Sequence, residues 1–217
     1  RRSKIALHVG AVLFAAALMT LGWNGHAAAT EGLVGLLHRF NNGVHLVAAG
    51  LWLGAIGWFL RLTVKVHIQS GQMAAKALLA TMHRFAPLGV ALVATITITG
   101  LINSQMIFGL VNSGEVLKSE YGVLLLAKLV LVGGMLTFGA RNAAVARRVA
   151  LAQDGRKIDT YMALAALHRS LIGEFIVAGL VIAVVAIVGM MSPVPIEMTN
   201  KSLDEGAPWA KNKSIWA

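Results

Sequence analysis

The chain has 217 residues, of which 57% are hydrophobic and only 13% are charged, and its mean hydropathy is +0.73. This composition excludes a soluble globular domain and predicts an integral membrane protein in contact with the lipid bilayer. The sequence has no cysteine, which excludes disulfides, thiolate metal sites and cysteine nucleophiles. The net charge of +10 does not indicate a nucleic-acid partner, because the basic residues form no single patch with interleaved aromatics.

Five apolar segments follow one another along the chain, and each is long enough to cross about 30 Å of hydrocarbon. All five should be helices, since a lipid-exposed backbone must satisfy its own hydrogen bonds. The sequence therefore predicts an all-α membrane bundle with five transmembrane helices, at about 5–23, 44–60, 85–111, 121–140 and 171–191.

The loop charges predict the orientation of these helices. Most lysines and arginines precede the first segment or lie in the connections after the second and fourth segments. Basic loops remain on the cytoplasmic side, so the N-terminus is expected in the cytoplasm and the C-terminus outside. Residues 1–195 are interpreted as one transmembrane domain and 196–217 as a polar outer tail. Because the chain opens on Arg1 rather than methionine, an N-terminal portion is expected to be missing.

The second segment carries a histidine inside a hydrophobic helix. His45 and Trp52 are seven residues apart, which is about two helical turns, so they should share a face that His38 extends outward. An ionisable ring within the membrane is costly to place there, and such a residue indicates a functional site.

Imidazole and thioether side chains gather near the outer ends of the predicted helices. His26 follows the first segment, and Met19 and Met106 lie near the outer ends of their own segments. Together with His38 and His45 they form a donor set that suits copper, with Cu(I) favouring the thioethers. The alternative is that the methionines only pack between helices and that His38 is merely solvated.

A second set of histidines lies near the inner ends of three helices, and its members are His8, His83 and His168. Histidines from different helices at matching depth are the usual axial ligands of b-type haem. The alternative interpretation is that each one caps a helix or meets lipid headgroups. These residues leave open a haem-binding electron-transfer subunit.

Two ionisable residues lie inside predicted spans, Lys128 in the fourth and Glu174 in the fifth. They approach from opposite sides of the membrane, so a direct contact between them is not expected. Glu174 should pair with Arg84, Arg141 or Asn142 at the inner rim. Such a structural pair is favoured over a proton or ion relay, because one carboxylate does not make a pathway.

Several short motifs, taken in order, resemble one known family. They are Gly25-His26-Ala27-Ala28, the helix from His45 through Trp52 to Gly54, His83-Arg84-Phe85, Thr99-Gly100, Tyr121-Gly122 with Leu125 and Lys128, and then Asn142, Arg169, Glu174 and Pro193. The sequence is similar to the CopD-type copper resistance membrane proteins over almost the whole chain up to Pro195. One difference is Arg141-Asn142, which stands in the reverse order to the family's pair.

The resemblance implies an inner-membrane protein with more helices than the five predicted here. It also implies that copper moves inward from the periplasm, often beside a small periplasmic copper-binding partner. The resulting hypothesis is a non-enzymatic protein that binds copper at its periplasmic face through His26, His45, His38, Met19 and Met106. Trp52 is expected to wall the site, while Lys128 and Glu174 hold helices together or tune hydration. A non-catalytic accessory subunit of a larger membrane complex is a further alternative.

Overall fold

The structure is a computed structural model, and it describes residues 2–23, 32–69, 72–108, 113–151 and 160–191. These ranges contain six α-helices, which are α1 (Arg2–Leu21), α2 (Gly32–Gln69), α3 (Gln72–Phe108), α4 (Ser113–Val116), α5 (Glu120–Ala150) and α6 (Thr160–Val188). The predicted all-α class is confirmed for this part of the chain. The predicted tail, 196–217, lies outside the described residues.

Four helices, namely α2, α3, α5 and α6, are long enough and apolar enough to cross a membrane. The apolar part of α1 is shorter and runs over His8–Leu21. The helix α2 is longer than the span predicted at 44–60, since it starts twelve residues before position 44 and ends nine residues after position 60. Hydropathy marks only the part of a helix that is buried in hydrocarbon, whereas backbone hydrogen bonding continues into the polar interface.

The bundle is built from two helix pairs. α2 packs along α3 and α5 packs along α6, while further contacts join α3 to α5 and α2 to α6. The apolar core between them includes Ile56, Leu79 and Leu167, which are at most 4% exposed. The outward faces are rich in exposed leucine, valine and isoleucine, as expected where lipid rather than water is the solvent.

The two ends of the bundle differ in charge. The C-terminal part of α2 meets the N-terminal part of α6, as a hydrogen bond between Thr63 and His168 shows. This end, here called the basic end, carries Arg61, Lys65, Lys76, Arg84, Arg141, Arg147, Arg148 and Arg169. At the other end, here called the His45 end, the start of α2 lies near the last third of α3 and the first part of α5.

A proline interrupts the backbone hydrogen bonding of α3. Pro87 lies inside the helix and has no N–H to donate to the carbonyl of His83, four residues earlier. At the start of α5, Ser119 is the N-cap, and its hydroxyl oxygen accepts a hydrogen bond from the backbone N–H of Gly122. The cap fixes where α5 begins, close to the His45 end.

A close backbone approach joins α1 to α2. A Cβ atom at Gly22 would lie 2.7 Å from the carbonyl oxygen of Arg39 and 2.9 Å from the backbone nitrogen of Gly43. Small residues allow helices in lipid to approach this closely, and packing then holds them together. The end of α1 is thereby fixed beside the first turns of α2.

We expect Gly22→Ala to lower the free energy of unfolding by about 1–3 kcal/mol, because the added methyl group would force two backbone segments apart. Thermal unfolding in detergent, followed by circular dichroism, measures the change. Gly10→Ala is the matched control, since no atom lies within 4 Å of a Cβ at that position. Equal melting temperatures for the two variants would contradict the close α1–α2 contact.

Candidate functional site

A polar network joins α2 to α3 at the His45 end. The Asn41 amide nitrogen donates to the carbonyl oxygen of Thr99 at 2.9 Å and to Oδ1 of Asn103 at 2.8 Å. The Asn103 amide nitrogen donates in turn to Oδ1 of Asn42 at 3.2 Å. Hydrogen bonds between side chains on neighbouring helices stabilise helix association in lipid. The network therefore fixes the register of α2 against α3 next to His45.

Thr99 determines which nitrogen of the His45 ring carries the proton. The Thr99 hydroxyl donates its only hydrogen to the carbonyl oxygen of Thr95 at 2.6 Å. Its oxygen lies 2.9 Å from Nδ1 of His45, and because the hydroxyl also faces the carbonyl oxygen of Ile96 at 3.2 Å, the contact favours the tautomer with the proton on Nδ1. In the neutral ring the lone pair is then on Nε2, which is the arrangement of a histidine ready to bind a metal ion.

Lys128 lies close enough to His45 for its charge to act on the imidazole ring. The sequence did not associate these two residues, because they come from different helices and nothing in their spacing links them. The proximity of Lys128 to His45 adds α5 to the helices that form this site. A protonated Lys128 would repel a divalent cation at His45 more strongly than a monovalent one.

Three other predicted copper ligands, Met19, His38 and Met106, lie around the same end of the bundle. The sulfur of Met19 packs against Gly43, two positions before His45, since a Cβ there would lie 2.8 Å from Sδ. His38 is buried on α2 and is 1% exposed. Met106 is partly buried near the end of α3. His26 lies outside the described residues.

Among the residues that the structure describes, no three His, Asp or Glu side chains form a group that could hold a metal ion. A copper site at this end would therefore need ligands other than a group of three described histidines or carboxylates, such as methionine sulfur or His26 beside His45 and His38. That ligand set stays a prediction.

Glu174 and Asn142 form a second, separate polar pair. Glu174 is 2% exposed, and its Oε2 accepts a hydrogen bond of 2.9 Å from the Asn142 amide nitrogen. Asn142 is one of the three partners considered for Glu174, whereas Arg84 is exposed at the basic end. The pair lies beside a cavity of about 260 Å³ between α2, α3, α5 and α6.

Trp52 lines the cavity beside Glu174. Trp52 was predicted to form a wall of the metal site, because it shares a helical face with His45. Seven residues of helix rise about 10 Å, so residues on one face still lie at different depths. The sequence did not lead to a prediction of this cavity. The small residues that face it, which could have indicated it, are Ala86 and Gly89 on α3 and Gly139 and Ala140 on α5.

Among the described residues, the three predicted haem ligands, His8, His83 and His168, do not form a metal-binding group. Nδ1 of His168 donates to the Thr63 hydroxyl at 2.8 Å, since that hydroxyl gives its own hydrogen to the carbonyl oxygen of Leu60. His8 is exposed on α1, and His83 is partly buried on α3. The haem alternative stays a prediction, and an absorption spectrum without a Soret band would exclude it.

The sequence model of the family described as CopD, copper resistance protein D, matches residues 79–188, just over half of the chain. The chain belongs to the CopD family. The match covers most of α3 and all of α5 and α6, and with them Thr99, Lys128, Asn142 and Glu174. The match confirms the resemblance to the CopD family that was noted in the sequence. The four long apolar helices make this CopD-family chain a multi-pass membrane protein.

Two curated relatives are similar to this CopD-family chain. Copper resistance protein D of Pseudomonas syringae pv. tomato is 35% identical over 188 residues, which are 82% of this chain and 56% of that protein. Inner membrane protein YebZ of Escherichia coli (strain K12) is 29% identical over 131 residues, which are 60% of this chain and 43% of that protein. The chain thus spans about half the length of these relatives. No solved structure matches it.

Proposed function

We propose that this chain binds copper at the His45 end of the bundle and carries it across the inner membrane. The relatives support the cargo and the location, since one is named for copper resistance and the other for the inner membrane. The observation that carries the proposal is the hydrogen bond from His45 Nδ1 to Thr99. It leaves Nε2 free to bind a metal ion and holds the ring in one orientation.

The surroundings of His45 favour Cu(I) as the form that is bound. A protonated Lys128 adds a positive charge next to the ring, which opposes Cu(II) more strongly than Cu(I). Met19 and Met106 lie at the same end and would supply the soft thioether sulfur that Cu(I) prefers. In this proposal His26 and His38 help His45 to capture the ion, and methionine sulfur then takes it over.

The charge difference between the two ends supports an orientation for transport. Arginine and lysine residues are concentrated at the basic end, which the positive-inside rule places in the cytoplasm. The His45 end then faces the periplasm, α1 adds a fifth span to the four long helices, and the C-terminus is periplasmic. Copper would enter from the periplasmic side, where a small copper-binding protein could deliver it, and would move inward.

The test is a titration of the purified chain with Cu(I) in competition with a chromophoric chelator, followed by X-ray absorption of the loaded protein. We expect one tight site whose first shell contains imidazole nitrogen and thioether sulfur. A shell of oxygen atoms only, or no binding that competes with the chelator, would overturn the proposal. Transport itself is then measured as copper uptake into sealed vesicles that contain the protein.

Thr99→Val should weaken Cu(I) binding by about 10–100-fold, the usual effect of removing the hydrogen-bond partner of a metal-binding histidine. Valine has nearly the same shape as threonine but cannot accept from His45 Nδ1, so the ring loses its fixed orientation. Thr97→Val is the matched control, because the Thr97 hydroxyl bonds only to the carbonyl of Val93 in its own helix. Equal affinities for both variants would contradict the role given to Thr99.

A further inference from the structure

The cavity between α2, α3, α5 and α6 has mostly apolar walls. Three aromatic side chains, Trp52, Phe59 and Phe85, line it together with Met82 and several small residues. Phe59 and Phe85 meet edge to face with ring centroids 5.3 Å apart, so these two rings hold each other in place. A volume of about 260 Å³ is large enough for a ring-sized organic molecule, and largely apolar walls are typical of such binding sites.

The polar part of the cavity wall has hydrogen-bond acceptors without donors. Oε2 of Glu174 accepts from the Asn142 amide nitrogen, but Oε1 accepts no hydrogen bond from any residue within the described ranges. Oδ1 of Asn142 is buried and also has no partner there. Over the same ranges, no lysine, arginine or histidine side chain forms an ion pair with the Glu174 carboxyl group.

We infer that this cavity binds a small organic cation, a primary ammonium group carried on an apolar, ring-sized body. The ammonium N–H groups would donate to Oε1 of Glu174, with Oδ1 of Asn142 as a second acceptor beside it. The positive charge would hold Glu174 in its carboxylate form, since a buried carboxyl group without a counter-charge favours its protonated, neutral form. The aromatic faces, and that of Trp52 above all, attract a cation and pack against the apolar body.

Other occupants fit the cavity less well. A neutral alcohol has one donor and no charge, so it would leave the carboxylate without a counter-ion. A bare metal ion would find only Met82, Glu174 and Asn142 as ligand atoms in a largely apolar wall, and most of the volume would stay unfilled. The inference concerns a site separate from His45 and does not depend on the proposed copper function.

The inference is tested with the intact chain in nonionic detergent and three small probes, each of which carries the same phenyl ring. They are 2-phenylethylammonium, its N,N,N-trimethyl derivative, which has no donor, and 2-phenylethanol, which has no charge. Binding is measured by calorimetry and by the fluorescence of Trp52, with Trp52→Phe to assign the signal. We expect the primary ammonium to bind at least about tenfold more tightly than either analogue. Equal binding of the ammonium and the alcohol would overturn the inference.

The variant Glu174→Gln should reduce ammonium affinity to that of the alcohol, since glutamine keeps the shape but not the charge. The matched control is Glu120→Gln, which changes an exposed carboxylate at the start of α5, away from the cavity, and should leave binding unchanged. Retained affinity in folded Glu174→Gln would also overturn the inference. If this variant does not fold, the three probes on the wild-type chain decide. If silver(I) changes the fluorescence of Trp52 and the ammonium probe does not, the cavity is a metal site and the inference is overturned.

Discussion

Replacing His45 by alanine is expected to weaken Cu(I) binding by more than about 100-fold, because a direct ligand matters more than the partner that orients it. The substitution removes Nε2, the nitrogen that the hydrogen bond to Thr99 leaves free to bind the ion. The affinity is measured by competition with a chromophoric Cu(I) chelator. The double variant His26→Ala, His45→Ala should lose the tight site altogether if both residues are ligands.

His83→Ala is the control for this experiment, since His83 lies near the basic end and has no part in the proposed site. Its affinity for Cu(I) should equal that of the wild-type chain. A His45→Ala variant that folds and binds Cu(I) as tightly as the His83→Ala variant would remove His45 from the site, and the proposed function would then lose its main support.

Asn142→Leu is expected to lower the free energy of unfolding by about 3 kcal/mol, because it leaves the buried Glu174 carboxyl group without its only hydrogen bond in the described structure. Unfolding in a graded series of denaturing detergent, followed by circular dichroism, measures this change. The double variant Asn142→Leu, Glu174→Leu removes both partners and should recover most of the lost stability. A double variant that is less stable than Asn142→Leu would contradict a mainly electrostatic cause.

The sequence predicted the membrane-protein class correctly, and it singled out His45, whose role as a ligand stays a prediction. Both inferences rest on local properties, namely the length of apolar segments and the cost of an imidazole ring in lipid. Helices α2 and α3 begin well before the spans predicted at 44–60 and 85–111, because hydropathy does not report where a helix ends in the polar interface. Family membership followed from short motifs in a fixed order, which the match over residues 79–188 confirms.

The surroundings of His45 could not be predicted from the sequence. Thr99 and Lys128 are 54 and 83 positions away along the chain, and only the packing of α3 against α2 and of α5 against α3 brings them near the ring. The cavity at Glu174 has the same origin, since four helices contribute to its walls. Trp52 shows the limit of helical periodicity, because a shared face fixes direction but not which neighbouring helix a side chain meets.

Pro87 has a mechanical consequence for the cavity. It lies between Ala86 and Gly89, two residues that form part of the cavity wall, and the missing bond to the His83 carbonyl is at this level. A proline inside a helix is the usual place of a kink, so we expect α3 to bend more easily at this level than along an uninterrupted stretch. A change of bend there would move Ala86 and Gly89 and, with them, one wall of the cavity.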